Sequence, residues 1–184
     1  MSPWPTILSA ARMIAAPIVA GLILWAGAAN SPSLYGLSAV VFILAALTDL
    51  LDGWLARSTG SVTPFGAALD HAADKALVAG ALVALAFAAF TLPLAIAAAI
   101  LIVRDIAIAG LREGLSAAGR TLPVSHVGKA KAAAEMIAIA ALLLAYAAAP
   151  FAETFAALGL VGLWLAAALA LWSAAAYVRV ALTP

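Results

Sequence analysis

The sequence contains no cysteine and little charge, with only 9% of its 184 residues being Asp, Glu, Lys or Arg. The absence of cysteine excludes a disulfide framework, a thiolate metal site and a thiol nucleophile. Soluble domains carry about 25% charged residues, so this composition excludes a soluble globule, a disordered chain and a nucleic-acid-binding protein. Nine basic and eight acidic residues leave a formal net charge of +1, which provides no long-range electrostatic steering.

What the chain has in abundance is apolar sequence, at 67% of residues, with a mean hydropathy of +1.19. About 20 apolar helical residues suffice to cross the hydrocarbon core of a bilayer. The turn residues between apolar stretches divide the sequence into six predicted spans, at residues 6–26, 33–57, 64–90, 93–115, 127–149 and 155–180. We therefore predict an all-α integral membrane bundle of six transmembrane helices, forming one domain over residues 1–184.

The basic residues predict how the spans are oriented. The connections after the first, third and fifth spans contain no Lys or Arg. Basic residues stand instead at the start of the first span, at the ends of the second and sixth, and around the fourth connection: Arg12, Arg57, Arg179, Arg112, Arg120, Lys129 and Lys131. By the positive-inside rule, both termini and the even-numbered connections face the cytoplasm.

Four aspartates lie inside two neighbouring predicted spans, where charge is costly and usually functional. Asp49 and Asp52 lie near the end of the second span, and Asp70 and Asp74 near the start of the third. Spacings of three and four residues put each pair on one face of its helix. Because the connecting loop is short, the two helices are antiparallel neighbours and the pairs can face each other. For any single aspartate, a proton relay or a structural ion pair would be the alternative.

Four clustered carboxylates need compensating charge, because each one makes ionisation of the others less favourable. Arg57 and Lys75 could offset two charges at most. Two divalent cations would offset all four, and ligands that are oxygen only suit Mg²⁺ or Mn²⁺. Such metals could clamp the oxygens of a phosphate during attack by a hydroxyl, with one carboxylate serving as general base. The residues therefore favour metal-assisted phosphoryl transfer over the alternative of a small cation or proton transporter.

The aspartates also belong to a longer pattern. Eight residues stand at fixed spacing within residues 49–74: Asp49, Asp52, Gly53, Ala56, Arg57, Gly66, Asp70 and Asp74. This pattern resembles the CDP-alcohol phosphatidyltransferase motif at all eight defining positions. The resemblance implies a membrane enzyme of phospholipid biosynthesis, which moves the phosphatidyl group of CDP-diacylglycerol onto an alcohol. It also implies that homodimers can form, as they do in the family.

The resemblance assigns roles to the motif residues. Asp49, Asp52 and Asp70 would hold two divalent metal ions, and Asp74 would act as the catalytic base while sharing a metal. The remaining motif residues would bind CDP-diacylglycerol. Gly53 and Ala56 would leave room for the nucleotide against the helix backbone, and Arg57 would contact phosphate. Gly66 would permit close approach at the start of the third span.

The acceptor alcohol has to be inferred from the polar residues of the fourth and fifth spans. The predicted acceptor-binding residues are Arg104, Arg112, Lys129 and Lys131. Arg104 and Arg112 are eight residues apart and so share a helix face. Such a cationic group suits a phosphorylated alcohol, although Lys129 and Lys131 could simply follow the positive-inside rule.

Further similarity, at residues 5–12, 110–113 and 124–131, is to the bacterial branch of the family that makes phosphatidylglycerophosphate. It implies glycerol 3-phosphate as acceptor, a location in the inner membrane and a site that faces the cytoplasm. Asp105 departs from the family pattern, which usually has Glu there. Phosphatidylglycerol, inositol phosphate and serine stay open as alternative acceptors, and so does the role of His71.

Overall fold

The computed structural model describes residues 4–59, 64–120 and 125–182, with all of their side chains except those of residues 4–6, 49–59, 64–65, 180 and 182. These residues form six α-helices and a short 3-10 turn at Ala149–Phe151. The helices are α1 (Trp4–Ala29), α2 (Pro32–Thr59), α3 (Pro64–Ala88), α4 (Leu92–Ala117), α5 (His126–Ala147) and α6 (Ala152–Leu182). The predicted all-α architecture is confirmed, and every helix end lies within three residues of its predicted position.

The membrane character of the helices follows from their length and composition. All except α2 contain a stretch that is long and apolar enough to cross a membrane, whereas the apolar portion of α2 in the described residues, Pro32–Thr48, is shorter. The chain is therefore a membrane protein. Which ends face the cytoplasm stays a prediction.

Local signals explain where the helices begin and end. Pro32 and Pro64 open α2 and α3, and Pro93 is the second residue of α4. Proline suits the first turn of a helix because its missing N–H would have no helical partner there. Ser125 caps α5, since its hydroxyl accepts a 3.0 Å hydrogen bond from the Gly128 N–H. Beyond the end of α4, Gly119 adopts a φ of +73°, in the left-handed region that glycine enters at little cost.

The helices pack through small residues. α1 lies against α2 and α3, α5 lies against α2 and α6, and α4 packs chiefly on α6. Alanine supplies much of the buried core, at positions such as Ala81, Ala97, Ala138, Ala166 and Ala170. Because lipid is as apolar as a protein core, membrane helices associate through close backbone approach, and small side chains permit it.

Gly27 marks one such close approach, between α1 and α3. A Cβ atom at this position would lie 2.6 Å from the Cβ of Ala88 and 3.2 Å from its Cα, and neither atom can rotate away. Gly27→Ala is therefore expected to destabilise the protein by about 1–3 kcal/mol, as overpacking typically does. The thermal unfolding midpoint in detergent measures this. Gly21→Ala is the matched control on the same helix, because a Cβ there meets nothing within 4 Å. Equal midpoints for the two variants would contradict the prediction.

Candidate active site

A polar cavity of about 220 Å³ lies between α3, α4, α5 and α6. Its lining residues are His71, Asp74, Lys75, Arg104, Asp105, Ile108, Ala109, Arg112, Gly128, Lys129, Ala132 and Tyr177. Of the residues predicted to bind the acceptor, Arg104, Arg112 and Lys129 are in this lining, and so is the predicted base Asp74. The structure thus brings the fourth-span arginines, Lys129 and one motif aspartate to a single cavity. His71 also lines the cavity, and its role stays open.

Asp105 lies at the centre of an ion-pair network in the wall of this cavity. Its carboxylate accepts hydrogen bonds from Lys75 Nζ at 2.7 Å and from Lys131 Nζ at 2.8 and 2.9 Å. A third donor, Arg104 Nη1, lies 2.9 Å away. The Asp105 side chain is only 9% exposed, so three cations from α3, α4 and α5 compensate one buried carboxylate. The network joins three helices at the level of the cavity.

Lys131 occupies a different place from the one predicted for it. Its side chain is 1% exposed and lies outside the cavity lining, with its Nζ 2.6 Å from a carboxylate oxygen of Glu135 and within 2.9 Å of both Asp105 oxygens. Its positive charge is therefore committed to two carboxylates. Lys129, two residues earlier, is exposed and does line the cavity.

Arg104 is held in place by α6 as well as by Asp105. Its Nε donates to the Ala170 carbonyl at 3.1 Å, and its Nη2 donates to the Ser173 hydroxyl at 2.6 Å. Most of the guanidinium donors are thus used within the protein. Arg112 differs, because its buried Nε has no hydrogen-bond partner among the described residues. A buried donor of this kind calls for an acceptor beyond the described residues, and a substrate could supply it.

The two described motif aspartates have different surroundings. Asp70 Oδ1 accepts hydrogen bonds from Arg12 Nη1 at 3.0 Å and from the Ser9 hydroxyl at 3.3 Å, both on α1. The Asp70 side chain is nevertheless 41% exposed. Asp74 lines the cavity, with its Oδ2 4.0 Å from Lys75 Nζ, and its buried Oδ1 lacks a hydrogen-bond donor among the described residues. A buried carboxylate oxygen without a donor fits a ligand for a cation.

The complete predicted metal set lies partly outside the described side chains. The helical backbone of α2 carries Asp49 and Asp52, but their side chains, with those of Gly53, Ala56 and Arg57, lie outside the described residues. Among the described side chains, no three Asp, Glu or His groups converge as a metal site would require. Gly66 lies in the first turn of α3. The metal and nucleotide assignments therefore stay predictions.

Sequence reasoning assigned no substrate-binding or catalytic role to three polar residues that the structure places in the cavity wall, Lys75, Asp105 and Tyr177. Lys75 and Asp105 could have been paired in advance, because charges inside membrane spans usually find partners. Tyr177 carries no such signal, since a tyrosine near the end of a span resembles an interfacial anchor. Only the packing of α6 brings it to the cavity.

Comparisons with known proteins identify the family of the chain. Residues 3–175 match the family model described as CDP-alcohol phosphatidyltransferase. A Pseudomonas fluorescens protein named CDP-diacylglycerol–glycerol-3-phosphate 3-phosphatidyltransferase is 44% identical over 151 residues, which cover 80% of this chain and 75% of that protein. Relatives of the same name from Sodalis glossinidius and Haemophilus influenzae are each 39% identical, over 78% and 79% of this chain and 77% of each relative. The resemblance is confirmed: the chain belongs to the CDP-alcohol phosphatidyltransferase family and is a transferase of phospholipid biosynthesis.

Proposed function

We propose that this enzyme transfers the phosphatidyl group of CDP-diacylglycerol to glycerol 3-phosphate, releasing CMP and leaving phosphatidylglycerophosphate in the bilayer. The observation that carries the proposal is the cationic cavity beside Asp74, lined by Lys75, Arg104, Arg112 and Lys129. These four cations outnumber the two carboxylates of the lining, Asp74 and Asp105. A net positive cavity favours an acceptor that itself carries phosphate. The names of relatives at 39–44% identity support the same acceptor.

The acceptor phosphate would bind between Arg112 and Lys129. Arg112 has a buried guanidinium nitrogen without a partner in the described structure, and Lys129 is exposed at the beginning of α5. A guanidinium pairs well with phosphate because its donors form a planar fork. Arg104 contributes its charge to the cavity while its donors stay bonded to α6 and Asp105. Lys131 supports this arrangement from the network and does not touch the acceptor.

Asp74 would take the proton from the primary hydroxyl of glycerol 3-phosphate. The hydroxyl oxygen then forms a bond to the lipid-linked β-phosphorus, and the bond from that phosphorus to CMP breaks. Asp74, whose buried Oδ1 has no hydrogen-bond donor among the described residues, lines the same cavity as the cations that would hold the acceptor. Base and acceptor would therefore meet in one place, as proton transfer requires.

Members of this family generally depend on a divalent metal. Asp49, Asp52 and Asp70, with Asp74, would hold Mg²⁺ or Mn²⁺, and the oxygen-only donor set suits these ions. Metal bound there would neutralise the pyrophosphate oxygens of CDP-diacylglycerol. The acyl chains would stay in lipid, and the cytidine would lie in a site facing the cytoplasm of the inner membrane, as the basic residues predict.

CMP release by the purified protein in detergent tests the proposal. The assay supplies CDP-diacylglycerol, Mg²⁺ or Mn²⁺, and one acceptor at a time: glycerol 3-phosphate, phosphatidylglycerol, inositol phosphate or serine. We expect metal-dependent release only with glycerol 3-phosphate, yielding a phosphatidylglycerophosphate lipid. Release with another of these alcohols would mean that the enzyme does transfer a phosphatidyl group, but that the cationic cavity does not bind glycerol 3-phosphate as its acceptor.

Arg112→Ala is expected to raise the KM for glycerol 3-phosphate by about 10- to 100-fold. The reason is that a hydrogen bond to a charged group contributes about 1.5–3 kcal/mol, and about 1.4 kcal/mol corresponds to a tenfold change. The KM for CDP-diacylglycerol should change little. Arg120→Ala is the control, because Arg120 is also basic but does not line the cavity. Its guanidinium donates a hydrogen bond to the Ala181 carbonyl instead. Similar KM values for the two variants would remove Arg112 from the acceptor site.

A further inference from the structure

Tyr177 contacts both the α4 wall and the α5 wall of the cavity, two helices whose described backbones do not pack on each other. In the described residues, α4 and α5 make no direct backbone contact, although α4 contributes Arg104 and Arg112 to the cavity and α5 contributes Lys129. Both helices pack on α6, which carries Tyr177. This side chain is only 6% exposed, yet it reaches the cavity. The spacing of the cations across the cavity therefore depends on α6 as well as on the Asp105–Lys131 ion pair, which links α4 and α5 directly.

The hydroxyl of Tyr177 holds the beginning of α5. It accepts a hydrogen bond from the Ser125 N–H at 2.9 Å and donates one to the Ser125 hydroxyl at 3.1 Å. Ser125 is the N-cap of α5 and in turn accepts from the Gly128 N–H. Lys129 is the next residue. Besides the packing of α5 on α6, the Tyr177 hydroxyl thus fixes the first turn of α5, where Lys129 lies.

The ring of Tyr177 lies beside both cavity arginines. The guanidinium carbons of Arg104 and Arg112 are each 5.9 Å from the ring centroid, within the range of a cation–π interaction. Arg104 has further hydrogen bonds to α6, so its placement does not depend on the ring. Arg112, whose Nε has no hydrogen-bond partner in the described structure, depends on it much more.

We propose that Tyr177 is a positioning residue for the acceptor phosphate, its ring orienting Arg112 and its hydroxyl fixing the Lys129 end of α5. This inference rests on the proposed function, in which Arg112 and Lys129 bind that phosphate. A residue that only packed against Ile108 and Ala174 would need neither a hydroxyl nor a π face. In Tyr177 the ring contacts Arg112 on α4, and the hydroxyl is hydrogen-bonded to Ser125 at the start of α5. Both features therefore act on helices that carry the cavity cations.

The test separates the ring from the hydroxyl by comparing Tyr177→Phe, which keeps the ring, with Tyr177→Leu, which removes both. The KM for glycerol 3-phosphate is measured for each variant, with and without Arg112→Ala. We expect the leucine variant to have a KM about 3- to 10-fold above that of the phenylalanine variant, from the usual strength of a cation–π contact. In the Arg112→Ala background this gap should close, because the ring acts through Arg112. The KM for CDP-diacylglycerol should stay the same throughout.

Equal KM values for the leucine and phenylalanine variants would overturn the proposal, and so would a gap that persists without Arg112. If Tyr177→Leu fails to fold, Tyr177→Met replaces it as a flexible apolar side chain without a π face. Wild-type protein is assayed in parallel, so that a failure of the proposed function is seen separately as absent turnover of glycerol 3-phosphate. If the wild type uses another phosphorylated acceptor, the same comparison is made with that acceptor. Turnover of serine alone would overturn both proposals.

Discussion

Asp74→Asn is expected to lower kcat for CMP release by about 10²- to 10⁴-fold, the usual contribution of a general acid or base. Asparagine has nearly the shape of aspartate but cannot accept the proton of the acceptor hydroxyl. The loss should be large because Asp74 lines the cavity and its buried Oδ1 has no other donor in the described structure. The measurement is CMP release at saturating CDP-diacylglycerol, glycerol 3-phosphate and metal.

The control for this prediction is Glu113→Gln. Glu113 is an exposed carboxylate on α4 that does not line the cavity, so the same chemical change should leave kcat within about twofold, as surface changes away from a site usually do. A metal titration of both variants separates the two roles proposed for Asp74. If excess metal restores turnover in Asp74→Asn, this residue serves as a ligand and the base lies elsewhere. Full turnover in a folded Asp74→Asn protein would remove Asp74 from the chemistry.

Asp105→Asn is expected to have the largest effect on stability, about 3–5 kcal/mol, the typical cost of removing one partner from a buried ion pair. Asp105 compensates Lys75, Arg104 and Lys131 at distances of 2.7–2.9 Å, and Lys131 is 1% exposed. Without the Asp105 charge, the described carboxylates left beside these cations are Glu135, 2.6 Å from Lys131 Nζ, and Asp74, at a longer 4.0 Å from Lys75 Nζ. Scanning calorimetry or a dye-based melt in detergent, at a fixed scan rate, measures the drop in the unfolding midpoint.

Two companion variants distinguish charge from shape at position 105. Asp105→Glu keeps the negative charge and should retain most of the wild-type midpoint. Adding Lys75→Met to Asp105→Asn removes a cation that has lost its 2.7 Å partner and should recover part of the loss, because the remaining network returns to its original net charge. A wild-type midpoint for Asp105→Asn alone would mean that solvent or lipid headgroups compensate the cations and that the network is not what holds α3, α4 and α5 together.

The sequence predicted the helices well because the signals for them are local. Apolar stretches of about 20 residues, ended by proline, glycine and short polar breaks, define a membrane helix before any helix meets another. The eight-position motif is also local, since it lies within residues 49–74, and it was enough to indicate the family. Composition alone had already excluded soluble and disulfide-rich classes.

The cavity itself was only partly predictable, as two lysines show. Lys129 and Lys131 stand two residues apart and therefore point to different sides of α5. The sequence does not indicate which of them faces substrate. In the structure, Lys129 lines the cavity, and Lys131 is buried against Asp105 and Glu135. The difference arises because the packing of α5 on α2 and α6 decides which of its sides faces the cavity.

The sequence by itself thus determined the class of protein, the six helices and the family, and it proposed the residues that would carry phosphoryl-transfer chemistry. The tertiary structure decided which charges pair with each other and which face the cavity, as with Asp70 beside Arg12 and Asp74 in the cavity lining. It also brought Tyr177 between α4 and α5. The physical reason is that hydropathy and spacing act within one helix, whereas the partner of a buried charge is determined by how helices distant in sequence pack together.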